Sequence, residues 1–430
     1  MRRVLLASVM VCVVFGGWAL ARAQSRGAVP ACDPDNGGIT LPAGFCAAVI
    51  SGSHPMPGAR HLVVAANGDL IVSFNGIGRG ATGGIVVLRD SNGDGKIDNA
   101  GAKFGTGNTT GIALRGDYLY YATPLEIGRY KFTADDATGP PEKIVTGFPV
   151  QNEHEDKDLA FDDRGGMYVN VGLPSNACQS PDRRPQVPGQ DPCPQLEDHG
   201  GIWKFDEKTP NQRFSKDRRY ASGMRQPVAL AWHDGHLFAV MNSRDQLDTL
   251  WPGKFTAQDN ANRPLEPMLQ VDQGSVFGWP YCFWDGQTSG YVLAPEYGGD
   301  GKQVGRCSQF QKPAATFPAH YAPVGLMFYS GTQFPAKYRG GAFISFHGSW
   351  NRAPEPQEGY NIVYQPFAGG SPSGKFEVFA DGFKGPKPIT NPDNALARPD
   401  GTGQGPDGSL YVTDSAKGKI WRIIYKGTGK

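Results

Sequence analysis

One short unit recurs six times along this 430-residue chain: an apolar strand, a polar Gly/Asp turn and a second apolar strand. It reads HLVVAANGDLIVSF at 61–74, GIALRGDYLYYA at 111–122, LAFDDRGGMYVNVG at 159–172 and VALAWHDGHLFAVM at 228–241. A looser copy runs from GLMFYSG to GGAFISFHG at 325–348, and GQGPDGSLYVTD follows at 403–414. Further strands trail several copies, such as GGIVVLRD at 83–90 and GKIWRIIY at 418–425. A hydrophobic hairpin cannot bury both of its faces alone. Radial stacking buries them against each other and leaves few long sheet edges open. The pattern predicts an all-β chain folded as a six-bladed β-propeller, with a two-sheet sandwich as the competing architecture. The segment 45–50 is expected to close the ring against the last blade, and long insertions at 173–199 and 248–320 are where ligand-shaping loops belong.

Composition agrees. Gly (59) and Pro (35) together exceed a fifth of the chain, which suits many strands joined by tight turns. Lys plus Arg (42) nearly balances Asp plus Glu (41), so neither nucleic acid nor an anionic membrane is an expected partner. Arg2 and Arg3, an apolar run from Val4 to Val14 and Ala21-Arg22-Ala23 have the order of an export signal. The organisation read from this is a signal peptide over 1–23 and one propeller domain over 24–430. The mature chain is expected in the periplasm or secreted, without membrane insertion; an uncleaved anchor is the alternative. Six cysteines remain after cleavage and fall into neighbouring pairs, Cys32 with Cys46, Cys178 with Cys193 and Cys282 with Cys307. An exported chain makes disulfides chemically plausible, and locality favours these three. No CxxCH or zinc-like Cys/His spacing occurs, which argues against haem or structural zinc. GIGRGATGG at 76–84 lacks the strand and helix context of a dinucleotide site.

Several stretches carry a more specific signal: HGSWNRAP (347–354), FGWPYC (277–282), PAHYAPVGLMFYSG (318–331) and GPDGSLYVTDSAKGKIWRI (405–423). LAPEYGGDGK (293–302) and ASGMRQPVALAW (221–232) agree with them. Together they resemble the glucose/sorbosone dehydrogenase family of soluble quinoproteins, in its sorbosone dehydrogenase-like branch. That resemblance implies a propeller holding pyrroloquinoline quinone (PQQ) and calcium and oxidising a sugar, a sugar alcohol or a sugar-derived aldehyde. With no haem site in the chain, a separate electron acceptor such as a cytochrome or a quinone is implied.

Under this resemblance His154 stands where the family has its general base, and an imidazole titrates in the right range to take a hydroxyl proton. Arg225 stands where an arginine faces the quinone oxygens and stabilises arriving negative charge. The family follows it with Asn; here Gln226 follows. PQQ is a tricarboxylate and calls for cations, for which Arg352, Arg398 and Lys419 are the candidates. Arg422 alternates with apolar neighbours and is as readily a surface residue. His347 and Asn351 add polar groups, and Trp279 offers a flat face for a tricyclic cofactor. Asn242, Ser243 and Asp245 resemble the loop whose main-chain oxygens help hold the cofactor-linked calcium, although the branch commonly has His-Gly where this chain has Asn242-Ser243. A second, structural calcium is suggested by DSNGDGKID, with oxygens at Asp90, Asn92, Asp94 and Asp98; the bland reading is a polar turn. Two alternatives stay open: a calcium-dependent lactone hydrolase on the same propeller, and a non-catalytic binding module, which the departures at Gln226, Asn242 and Asp400 keep alive.

Overall fold

The computed structural model describes residues 31–427 except 79, 106, 134 and 135, so the signal-peptide expectation lies outside the described residues. Six sheets of four or five antiparallel strands follow one another around a ring. Blade 1 runs from the channel outward as Ala59–Val64, Leu70–Phe74, Gly84–Arg89 and Asn99–Ala100. Blade 2 comprises Ile112–Arg115, Tyr118–Ala122, Glu126–Thr133 and Asp136–Thr146, with Gln212–Arg213 added in parallel at its edge. Blade 3 uses Leu159–Phe161, Gly166–Val171, Gly201–Asp206 and Arg219–Ser222, and blade 4 uses Gln226–His233, His236–Asn242, Glu266–Val271 and Ala315–Phe317. Blade 5 uses Pro323–Phe328, Ala342–Phe346, Asn361–Gln365 and Glu377–Ala380. Blade 6 takes Pro399–Gln404, Leu410–Asp414 and Ile420–Tyr425 from the end of the chain, and its outermost strand, Phe45–Val49, from the beginning. The six repeats read from sequence are the two inner strands of the six blades. The sandwich alternative is thereby set aside.

Why these strands are apolar on both sides follows from the packing. Successive side chains on a strand point to opposite faces. In blade 1, Leu70, Val72, Val86 and Leu88 pack toward blade 6, whereas Ile71, Ile85 and Val87 pack toward blade 2. The same division recurs around the ring, so every blade-to-blade interface holds its own buried cluster. A seventh cluster has a different origin. Leu173 and Ala177 from one long insertion meet Leu247, Leu250, Trp251 and Phe255, and with them Trp279, Phe283 and Val292. This cap is tied by the Cys178–Cys193 and Cys282–Cys307 disulfides, and the third, Cys32–Cys46, tacks the closing strand. All three sequence-based pairings are present.

Ring closure is antiparallel, with Phe45 opposite Tyr425 and Val49 opposite Trp421. The Phe45 ring stands edge-on to Phe334, Tyr338 and Phe379 of the blade 5 side, which locks the closing strand into the largest aromatic cluster. Four of the inner strands carry a bulge near their first residues: Ala59–Leu62, Pro227–Ala229, Pro323–Gly325 and Pro399–Thr402. A bulge bends a strand and re-aims the side chains beside it. The bulges of blades 1 and 5 set Arg60 and Val324 against a common space.

Candidate active site

That space is a cavity of about 250 Å³ at the mouth of the channel. Blade 1 contributes Arg60, the segment before blade 3 contributes His154 and Asp156, and Arg225 with Gln226 enters at the start of blade 4. Asn242, Ser243, Asp245 and Glu266 come from further along blade 4. His320, His347, Ser349, Trp350 and Asn351 flank blade 5, and Arg398 precedes blade 6. Residues more than 300 positions apart in sequence therefore meet at one wall, which is what inner strands that all begin at the same end of a ring produce.

His154 is held in the left-handed backbone region at φ 55°. Its Nδ1–H donates to the Leu173 carbonyl at 2.6 Å, and Gln151 Nε2 donates to the carbonyls of Glu153 and His154 at 2.7 and 2.9 Å. The close neighbour Gly172 is required, because a Cβ there would lie 2.6 Å from the Cβ of His154. With Nδ1 committed, Nε2 carries the lone pair. Burial, aided by the Arg225 guanidinium, pushes the imidazole pKa down to about 4. The ring is neutral at physiological pH and able to accept a proton at Nε2.

Arg225 is buried, donating from Nε to Asn176 Oδ1 at 3.2 Å and from Nη2 to Asp245 Oδ2 at 2.6 Å. Burial lowers its pKa, and Asp245 opposes that effect. Asp245 accepts from three side-chain donors. Arg183 reaches the same Oδ2 at 3.2 Å, and Asn351 Nδ2 reaches Oδ1 at 2.6 Å. Burial works against this carboxylate, yet Arg225 and Arg183 hold its pKa down to about 2. Its side chain is thus the counter-ion of two arginines. Opposite lies Glu266, accepting the amides of Ser243 at 2.6 Å and Ala322 at 3.4 Å, with burial raising its pKa to about 8.

A second cationic group sits across the cavity. Arg60 bridges Asp156 and Asp400, both at 2.9 Å; burial opposes its charge, and the two carboxylates more than restore it. Asp400, a departure from the branch pattern, is therefore the partner of an arginine that the sequence reading did not single out. Arg398 donates to the His347 and Gly348 carbonyls at 3.2 and 2.5 Å. His347 binds Ser415 Oγ through Nε2 at 2.7 Å, and burial together with Arg398 and Arg60 keeps it neutral. His320 donates from Nε2 to the Asn260 carbonyl at 2.7 Å, and burial pulls its pKa down to about 4. The departures at Gln226 and Asn242 compensate each other: the two face across adjacent strands, and Asn242 Nδ2 donates to Gln226 Oε1 at 3.3 Å.

Other expectations are corrected. Trp279 is buried in the cap among Leu173, Leu247 and Phe283 and presents no face to the cavity. Arg352 turns away from it, donating to the carbonyls of Pro356, Ala261 and Ala319, and so staples its loop to the cap. Lys419 lies 5.6 Å over the Trp421 ring, away from the cavity wall. Arg422 pairs with Asp407 at 2.8 Å. In the 90–98 loop, Asp90 accepts the amides of Gly93, Asp94 and Gly95, Asn92 accepts that of Asp94, and Asp98 accepts those of Ser91 and Asn92. The loop satisfies itself as a polar turn, and among the described residues no group of three or more His, Cys, Asp or Glu is gathered to hold a metal.

The cavity has features that fit an anionic, oxygen-rich ligand. Arg60, Arg225 and Arg398 line it, and Arg60 Nε, Asn242 Oδ1 and Asn351 Oδ1 are buried without hydrogen-bond partners. Buried polar atoms are normally paired, so these atoms are free to meet a ligand or ion.

A family model described as TrAA12-like matches residues 39–426. An uncharacterized protein of Borreliella burgdorferi is 27% identical over 221 residues, 50% of this chain and 51% of that protein. A pyrroloquinoline quinone-dependent pyranose dehydrogenase of Coprinopsis cinerea is 25% identical over 159 residues, 34% of this chain and 21% of that protein. The match thus spans about half, or less, of the length of these curated relatives. Among solved structures, the holo PQQ domain of a Coprinopsis cinerea pyranose dehydrogenase superposes with a TM-score of 0.68 at 18% identity, covering 92% of this chain and 98% of that one. The calcium structure of Trichoderma reesei carbohydrate-active enzymes family AA12 gives 0.70 at 19% identity, covering 93% and 99%. At these identities the structures show a shared fold, and the chain belongs to the TrAA12-like family.

Proposed function

We propose that this chain is a PQQ-dependent sugar oxidoreductase that uses calcium, acts outside the cytoplasm and passes its electrons to a separate acceptor. The observation that carries the reading is the neutral, tautomer-fixed His154 in the same cavity as the buried Arg225. A pyranose dehydrogenase among the sequence relatives and a PQQ domain among the structural ones support the cofactor and substrate class. The sorbosone-like branch is one substrate assignment within that class. Three disulfides, and the absence of any helix long and apolar enough to cross a membrane among the described residues, suit the location.

PQQ would supply a two-electron acceptor next to the substrate carbon. Arg60 and Arg398 would hold its carboxylates from one side of the cavity, and Arg225 across from them would face the oxygens that gain negative charge. The unpaired Asn242 Oδ1, with the loop through Ser243, offers hard oxygen to calcium. His154 Nε2 accepts the hydroxyl proton of the sugar, which is the step an imidazole held below neutrality performs without first losing a proton of its own. Trp350, 52% exposed at the cavity wall, gives the sugar an apolar platform. A lactone hydrolase on this fold would instead need free acidic ligands at the centre, whereas Asp156, Asp245 and Asp400 are each committed to an arginine.

Reconstitution with PQQ and calcium, followed by dye-linked oxidation across a panel of sugars, tests the proposal. Turnover that depends on PQQ and is lost in His154→Ala supports it. Failure to bind PQQ by absorbance titration refutes it.

A further inference from the structure

Arg183 lies in the disulfide-closed insertion between Cys178 and Cys193, and no sequence motif pointed to it. Its guanidinium occupies the centre of a charge relay. Nη2 donates to Glu153 Oε2 at 3.0 Å and to Asp245 Oδ2 at 3.2 Å, while Nη1 donates to Gln246 Oε1 at 2.8 Å. Asp245 in turn holds Arg225, and Glu153 is the residue next to His154. One side chain from a loop thus touches a carboxylate beside each of the groups assigned to the chemistry.

The critical distance is on the His154 side. Glu153 Oε2 stands 4.0 Å from His154 Nε2, the nitrogen with the free lone pair. A carboxylate so near an imidazole would ordinarily close on it, form an ion pair and raise its pKa. Arg183 competes for that carboxylate and holds it in a two-point contact from Nε and Nη2. From the cavity side Arg225 adds positive charge, and Asp245 adds negative charge that its two arginines offset. The Leu173 carbonyl fixes the other ring nitrogen.

We infer that Arg183 is a positioning residue that restrains Glu153 and thereby keeps the His154 lone pair open to substrate. The inference rests on the reading of His154 as the base, but its test does not require turnover. The pKa of His154 is measured by NMR of the ring in the folded, cofactor-free protein, for wild type, Arg183→Gln, Arg183→Lys and the double variant Arg183→Gln/Glu153→Gln. Removing the cation frees Glu153, so the Arg183→Gln value rises by about one pH unit or more. Arg183→Lys retains a cation and stays near wild type. The double variant returns toward wild type, because the carboxylate that would close on the ring is gone. A folded Arg183→Gln protein with an unchanged His154 pKa overturns the inference, as does a double variant that stays as high as the single. A merely structural role would lower stability in all three variants and leave the titration where it was. If no sugar is oxidised by any form, the proposed function fails while the titration result stands on its own.

Discussion

Deep in the channel, His61 predicts a pH-dependent weakening of the ring that can be worked through quantitatively. Its Nδ1 meets Asp158 Oδ1 at 3.1 Å and its Nε2 meets the Val324 carbonyl at 2.9 Å, so both nitrogens face acceptors. The other Asp158 oxygen accepts the Leu230 amide at 2.7 Å. One imidazolium therefore links blade 1 to blade 5 and, through Asp158, to blade 4. Burial disfavours the charge, but Asp158, with help from Asp400, raises the pKa from 6.5 to about 9. A folded-state pKa above the unfolded one contributes stability that is complete below the unfolded value and disappears as pH rises through the folded value. The window is therefore between the ordinary histidine value and about 9, and at about 1.4 kcal/mol per pH unit the contribution is about 3 kcal/mol. His61→Gln cannot carry charge and lacks this contribution at every pH. Urea unfolding followed by tryptophan fluorescence, with disulfides intact, gives the stability of both proteins from about pH 6 to about pH 10. Wild type should exceed the variant at the acid end and converge toward it at the alkaline end. Parallel profiles with a constant offset would refute the assignment of a charged His61.

Three further outcomes are expected. For the reconstituted enzyme, kcat/KM should fall as pH drops through about 4, where His154 takes up a proton, and His154→Gln should cost on the order of 10²–10⁴ in turnover. Trp350→Ala should raise KM for the sugar about tenfold while changing kcat little, since an exposed ring at the mouth binds substrate without touching the reacting atoms. Replacing Cys282 and Cys307 together by serine opens a loop of 25 residues and should cost about 3.5 kcal/mol in the chain-entropy account, seen as a lower Tm, with greater protease sensitivity in the cap.

The blades were legible because alternation and tight turns are local properties. Each inner hairpin, such as Leu70–Phe74 with its partner Ala59–Val64, shows its apolar faces within a short stretch of chain. His154, Arg225 and Arg398 were legible through position, lying just before inner strands. Arg60, second in the inner strand of blade 1, matches Asp400 of blade 6 when the bulges are aligned, and could have been found that way. Glu266 and His320 gave no such signal, since one opens a third strand and the other lies in a loop. The motif HGSWNR illustrates why composition does not settle direction. Trp350 and Asn351 face the cavity, but the next residue, Arg352, is carried round the turn to backbone carbonyls of the cap. Which way a loop residue points depends on what the loop packs against, and the partners of this one lie about 90 residues earlier in the chain.

The borrowed strand of blade 6 also has a consequence for how the protein is made. Phe45–Val49 emerges early during synthesis, yet its hydrogen-bonding partner, Ile420–Tyr425, emerges last. Until then the five completed blades form an open arc whose two end faces, rich in Val, Leu, Phe and Tyr, have nothing to cover them. Closure of the ring therefore waits for that last pairing, and a nascent or truncated chain carries two apolar end faces open to self-association. Holding the chain unfolded until its last strand is available would avoid that hazard.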